Sequence, residues 1–261
     1  SKNEKEHLEF YDKARDAYKK IFDRIGIGDK TYLTYASGGT FSKFSHEFQT
    51  ICDAGEDIIY IHKDDYGKGL KMKPGRAAIN KEIFTGNVKE DLGLKGDFVE
   101  KKAIEVGNIF TLGTKFSEPF NLNFTDESGN KKYVFMGSYG IGLDRLMGTV
   151  AEVYHDDKGL IWPELIAPFQ FHLIELKSSN SVVKKEAEKI YKILLDKGAE
   201  VLYDDRALKT AGEKFADADL IGIPIRLVVS EKTIAKNSVE IKKRNELKTS
   251  LTQIRKFIKN S

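Results

Sequence analysis

Apolar residues recur through residues 6–25 at Leu8, Phe10, Tyr11, Ala14, Ala17, Tyr18, Ile21, Phe22 and Ile25. These spacings gather on one face of a helix with charges opposite, and Gly26 stands where the helix would be capped. The period then shortens to two. Residues 31–36, 47–52 and 58–62 read as strands, with Ser37-Gly38-Gly39 as a turn. Residues 63–76, rich in Lys, Gly and Asp, read as an exposed loop. Residues 77–84 and 97–106 read as strands around a turn-rich 86–96. Residues 121–124 and 131–136 flank a polar tip and predict a hairpin, and 143–153 predicts a helix.

From Pro168 the pattern changes to strand (171–176), helix (182–197), strand (200–203), helix (214–221), strands (225–229, 239–242) and a terminal helix (247–258). Such alternation predicts a separate α/β unit with a mostly parallel sheet. Pro163 and Pro168 frame a connector. Two domains are therefore expected, an antiparallel α+β body over 1–165 and an α/β domain over 166–261.

Composition adds limits. With 40% hydrophobic residues in 261, the chain can build real cores. No apolar run approaches the roughly 18 residues of a membrane span, and residues 1–25 are charged throughout, so a soluble, cytoplasmic protein without a signal peptide is expected. The single cysteine, Cys52, excludes an internal disulfide and reads as buried and inert. Charge is uneven, −3 over residues 1–167 and +6 over 168–261. A basic C-terminal third suits a polyanion such as nucleic acid, although charge alone favours an ordinary solvated surface.

Three constellations carry candidate chemistry. In Gly140-Ile141-Gly142-Leu143-Asp144-Arg145, two glycines let backbone approach a ligand and an arginine follows with fork geometry suited to phosphate or a purine face. In Glu105-Val106-Gly107-Asn108, a carboxylate and a carboxamide three residues apart can meet ribose hydroxyls or an amine if Gly107 turns the chain. In Ser45-His46-Glu47-Phe48, a polar pair beside an aromatic wall can accept an amine and enclose a small ring. Each alone reads equally as packing or polar decoration.

Together they are specific. Ala36-Ser37-Gly38-Gly39 with Ser45-His46-Glu47-Phe48-Gln49, the run from Glu105 to Ser117, and Met136-Gly137-Ser138-Tyr139-Gly140-Ile141-Gly142 with Arg145 occur in that order. They resemble the catalytic domain of bacterial-type prolyl-tRNA synthetases, which are class II aminoacyl-tRNA synthetases. The match continues through His155–Pro163, Val201–Arg206 and Gly212–Pro224. The resemblance implies that Arg145 is the motif 3 arginine lying against ATP and its triphosphate, with Glu105 as its catalytic companion. Glu105 and Asn108 would face the ribose of ATP or the adenylate. Gly140 and Gly142 would let the nucleotide sit against the backbone, and His46, Glu47 and Phe48 would wall a proline pocket. In the anticodon-binding domain, Arg206, Lys214 and Phe215 would contact or stack on anticodon bases, Phe215 being equally suited to a helix core. Implied ligands are proline, ATP with Mg2+, and tRNA(Pro). No protein-held metal is expected, and the complete enzyme is expected to be a homodimer.

The sequence departs from the family in two places. Motifs 1 and 2 would precede Ser1, so the resemblance implies an incomplete catalytic domain, with little adenylation by this chain alone. The interval from Ile61 to Glu100 is too short for an editing domain, so no cis-editing is expected. A threonyl enzyme would need a zinc site, for which five scattered histidines and Cys52 lack the spacing. The alternative is a non-catalytic paralogue that binds RNA or a protein partner.

Overall fold

A computed structural model describes residues 1–73, 76–179 and 181–260. They form two units, Ser1–Val153 and Tyr154–Ser261.

The first unit opens with α1 (Glu4–Arg24), started by the Asn3 side chain accepting from the Glu6 amide at 2.9 Å. His7, Tyr11, Tyr18 and Phe22, all buried, mark its inner face. Seven further elements make the body: β1 (Thr31–Ser37), β2 (Phe44–Ile51), β3 (Asp57–His62), β4 (Ala78–Asn80), α2 (Gly86–Asp91), the 16-residue β5 (Phe98–Gly113) and, past the hairpin of β6 (Asn123–Thr125) and β7 (Lys131–Tyr133), β8 (Met136–Ile141). The sheet order is β2-β1-β4-β3-β5-β8. Because β2 also pairs with β5, the hydrogen bonding closes on itself through β1, β4 and β3. Among the described residues of this sheet only the β1–β4 pairing is parallel. Then α3 (Leu143–Val153) follows β8 after one residue, as the pattern predicts.

Three expectations fail here for physical reasons. The chain does not turn at Gly107; β5 runs on through it past a register shift opposite Phe48 and Gln49. A Cβ at Gly107 would stand 3.1 Å from Tyr18, 3.4 Å from Phe22 and 3.0 Å from the Gly140 carbonyl, so glycine here admits α1. The 63–76 segment is not simply exposed. Asp65 is fully buried, held by Arg76 at 2.8 Å and Lys68 at 3.3 Å; residues 74 and 75 lie outside the described residues. Residues 86–91, read as turn, form α2, capped by the Thr85 hydroxyl.

The second unit begins with the hairpin β9 (His155–Asp156) and β10 (Gly159–Leu160). Next come β11 (Phe171–Glu175), α4 (Ser181–Asp196), β12 (Val201–Asp204), α5 (Ala211–Ile221), β13 (Ile225–Val229), α6 (Glu231–Ile234), β14 (Ser238–Lys243), β15 (Thr249–Gln253) and α7 (Ile254–Asn260). Val183, Ala187, Ile190 and Leu194 of α4 pack with Leu173, Leu227 and Val229 on one sheet face. Ala218 of α5 packs with Ile174 and Val228 on the other. A Thr210–Glu213 capping box starts α5 and Gly222, at φ +81°, ends it. Gly222 also lies against the hairpin, where a Cβ would be 2.2 Å from the Leu160 carbonyl. Asp156 of that hairpin takes Arg244 by both oxygens, at 2.8 and 2.6 Å.

The sheet, ordered β12-β11-β13-β14-β15, is mixed rather than mostly parallel: β12, β11 and β13 run parallel, and β14 and β15 antiparallel. The segment expected as one terminal helix divides instead. Thr249-Ser250-Leu251-Thr252 suits a strand and pairs with β14, leaving only Ile254–Asn260 helical.

Candidate active site

Neighbouring residues of a strand point to opposite faces of its sheet, so β2 divides its candidate residues between two environments. Glu47, Asn108 and Gly140 stand in register across β2, β5 and β8. The Asn108 carboxamide donates to Glu105 Oε1 at 2.8 Å. Arg145, in the first turn of α3, brings Nη1 to 3.3 Å from Glu105 Oε2 and donates to the Glu105 carbonyl at 3.1 Å. Gly142 lies at the turn from β8 into α3, its carbonyl accepting from the Leu146 amide at 2.8 Å. The structure thus gathers Arg145, Glu105, Asn108, Gly140 and Gly142 in one place. Beside them is a cavity of about 440 Å³ lined by Glu105, Arg145, Asp57 and Thr149 among others.

Glu47 belongs to this side too. Its Oε2 accepts from Gln49 Nε2 at 2.9 Å and Asn80 Nδ2 at 3.2 Å. Gln49 Nε2 also donates to Asp57 at 2.7 Å, while its own Oε1 is buried with no partner among the described residues. Burial pushes the Glu47 carboxyl above its ordinary range; the Gln49 hydrogen bond opposes this and the charge of Glu105 adds to it. Gln49, Asp57 and Asn80 were missed in the sequence. A signal for Gln49 existed, since Ser45, Glu47 and Gln49 are polar at a period of two.

His46 and Phe48 face the other way. Phe48 is fully buried between Tyr18 and Phe22, ring centroids 5.3 and 5.2 Å away. His46 Nδ1 lies 2.7 Å from the Tyr11 hydroxyl, which donates to the Ile109 carbonyl at 3.1 Å. Since that carbonyl can only accept, both contacts are hydrogen bonds when His46 carries its proton on Nδ1. Burial, with the charge of Arg15, pushes the His46 imidazole down to about 4. Cys52 is buried.

In the second unit Arg206 is exposed and pairs with both Asp204 and Asp217 at 2.8 Å. Lys214 is 1% exposed. Its Nζ donates to the carbonyls of Glu175 and Asp204 at 2.6 and 3.0 Å, and stands 3.4 Å from Asp204 Oδ1. It pins the ends of β11 and β12 together rather than reaching outward. Although burial resists ionisation, the Arg206 hydrogen bonds and the Lys214 charge hold the Asp204 carboxyl down at about 2. Phe215 packs against the α5 core with the Arg226 guanidinium 4.4 Å above its ring. The three anticodon candidates therefore lie in different settings: one exposed, one buried, one half-buried.

No group of three or more His, Cys, Asp or Glu among the described residues could hold a metal ion. No helix among them is long and apolar enough to cross a membrane.

Comparison with known proteins gives the family of each unit. The family described as tRNA synthetase class II core domain (G, H, P, S and T) matches residues 2–154. The anticodon binding domain family matches residues 166–260. The proline–tRNA ligase of Rhizobium johnstonii is 35% identical over 255 residues, covering 90% of this chain and 56% of that protein. That of Dehalococcoides mccartyi strain CBDB1 is 49% identical over 159 residues, 61% of this chain and 28% of that one. A crystal structure of prolyl-tRNA synthetase from Cryptosporidium parvum, complexed with L-proline and AMP, has the same fold, with a TM-score of 0.71 at 22% identity over 99% of this chain and 44% of that one. The chain spans about half the length of the curated relatives that it matches along most of its sequence. It belongs to the class II tRNA synthetase core family, joined to an anticodon-binding domain.

Proposed function

We propose that this chain is the motif 3 and anticodon-binding part of a proline–tRNA ligase, which activates proline with ATP and transfers it to tRNA(Pro). The observation that carries this reading is the convergence of Arg145, Glu105 and Asn108 beside the glycine path of β8. A guanidinium, a carboxylate and a carboxamide next to close-approach backbone suit a nucleotide's phosphates and ribose.

The chemistry needs no protein nucleophile. The proline carboxylate attacks the α-phosphate of ATP, forming the mixed anhydride and releasing pyrophosphate. The terminal ribose hydroxyl of tRNA then attacks the activated carbonyl, losing its proton as AMP departs. Arg145 would neutralise charge on the phosphates, supported by Glu105, which pairs with Arg145 and accepts from Asn108. Positioning and charge stabilisation of this kind are the main sources of rate in such transfers. Mg2+ would come with ATP and neutralise its phosphates. Glu47, with one oxygen held by Gln49 and Asn80 and the other without a hydrogen bond from them, would take the secondary amine of proline. His46 and Phe48 would shape that strand from behind. Arg206 and Phe215 would meet the anticodon, with Lys214 as a positioning residue. A homodimer and a cytoplasmic location belong to the same reading.

Pyrophosphate exchange into ATP, assayed with each of the twenty amino acids on the enzyme containing these residues, tests it. Exchange should depend on proline. Exchange driven by another amino acid would overturn the assignment, and none at all would favour a paralogue that only binds.

A further inference from the structure

On the side of the first unit covered by α1, facing away from Glu105 and Arg145, lies a second concavity, of about 260 Å³. Arg15 and Lys19 reach it from α1, and Lys73 and Arg76 from the segment after β3. His46 and Tyr35 stand between them, their rings 4.8 Å apart. No carboxylate is among the residues that line it. The acids that pair with these cations sit outside: Asp12 and Asp16 bind Arg15 and Lys19 with side chains 62% and 60% exposed. Asp65, buried, anchors Arg76 at 2.8 Å and fixes where its guanidinium stands.

One detail shows donor capacity to spare at this surface: Arg15 Nε is buried and has no acceptor among the described residues. His46, with its proton on Nδ1 toward Tyr11, offers the hollow only an accepting Nε2 and supplies no donor to an anion. Arg15, Lys19 and Arg76 keep N–H donors beyond those their carboxylate partners use, and together with Lys73 they suit a phosphate, which offers up to two charges and three or more acceptor oxygens. Leu33 and Met72 give the hollow apolar walls, which raise the strength of any charge pairing made inside it.

We propose that this concavity binds a phosphate group, held by Arg15, Lys19, Lys73 and Arg76. The phosphate belongs either to a small ligand or to an RNA backbone. The site is separate from the ATP cluster, so its failure would leave the ligase reading untouched.

The test is an NMR titration of the chain with inorganic phosphate in a phosphate-free buffer, following the His46 Cε1 proton. A saturable shift is expected, with half-saturation at about 1 mM or below. The double variant Arg15→Gln, Lys73→Gln should weaken it by at least about tenfold, as loss of two charge-assisted contacts requires. Lys73→Gln alone, at an exposed side chain, should weaken binding without altering the melting temperature, and covers the case in which the double variant folds poorly. A short single-stranded RNA that displaces phosphate identifies the backbone as the source; an RNA that leaves His46 unmoved identifies a small phosphorylated ligand. No saturable shift, or equal binding by the Lys73→Gln and double variants, would overturn the proposal.

Discussion

Arg145 grips Glu105 twice, once through its carboxylate at 3.3 Å and once through its backbone carbonyl at 3.1 Å. The second contact ties the first turn of α3 to the middle of β5 by the residue that also faces the cavity. The arginine side chain nevertheless remains 56% exposed, so much of its guanidinium is available to a ligand. An exposed pair of this kind adds little to stability. Its value lies in aim.

Replacing Arg145 with alanine in the complete enzyme should therefore lower proline-dependent pyrophosphate exchange by about 10²-fold or more. The unfolding midpoint should hardly move, since the lost pair is worth roughly 0–1 kcal/mol. Near-normal exchange would remove Arg145 from the phosphate site.

Glu47→Gln keeps the shape of the side chain and removes its charge. If Glu47 takes the amine, the KM for proline should rise by about tenfold or more while the KM for ATP stays close to its original value. A rise in both would mean that Glu47 supports the whole sheet face rather than one ligand.

Lys214→Met should destabilise the chain by about 3 kcal/mol in urea unfolding, because it strips a donor from two buried carbonyls and a partner from Asp204. Arg206→Ala leaves Lys214 on the buried Asp204, so it should cost less stability than Lys214→Met, and it should weaken tRNA binding. Equal stability losses for the two would contradict the division between pin and contact.

His172 of β11 gives the chain a pH response. Its side chain is 2% exposed, its Nδ1 has no partner among the described residues, and burial pushes its imidazole down from 6.5 to about 4. The unfolded chain then takes a proton between those values that the folded chain refuses. Stability is complete above pH 6.5 and falls as the pH drops toward 4, by at most about 3 kcal/mol for this group. His46 acts in the same direction. His172→Phe should flatten the slope of urea stability between pH 7 and 5; an unchanged slope would place the response elsewhere.

The long elements were legible because their burial is periodic. Tyr11, Tyr18 and Phe22 on α1, and Val183, Ala187, Ile190 and Leu194 on α4, announce their faces in the chain itself. The motif residues Glu105, Asn108 and Arg145 were found by resemblance, and their hydrogen bonding could only come from β5 and α3 meeting in space. Gly107 misled because a glycine serves a turn and a close approach equally well, and only α1 lying 3.1 Å from its virtual Cβ decides between them. Lys214 misled for a similar reason. A lysine at the start of a helix reads as surface until the ends of β11 and β12 turn their carbonyls toward it. The strand β15 was hidden because a helix follows it directly, and only its pairing with β14 separates the two.

The most direct measurement is capture of bulk tRNA by this chain at low salt, where phosphate contacts are strongest, followed by sequencing of what stays bound. It rests on the anticodon-binding domain and does not require adenylation. The account predicts enrichment of tRNAs with proline anticodons over all others, and its loss in Arg206→Ala. Retention of tRNAs without anticodon preference, or enrichment of another amino acid's set, would contradict it.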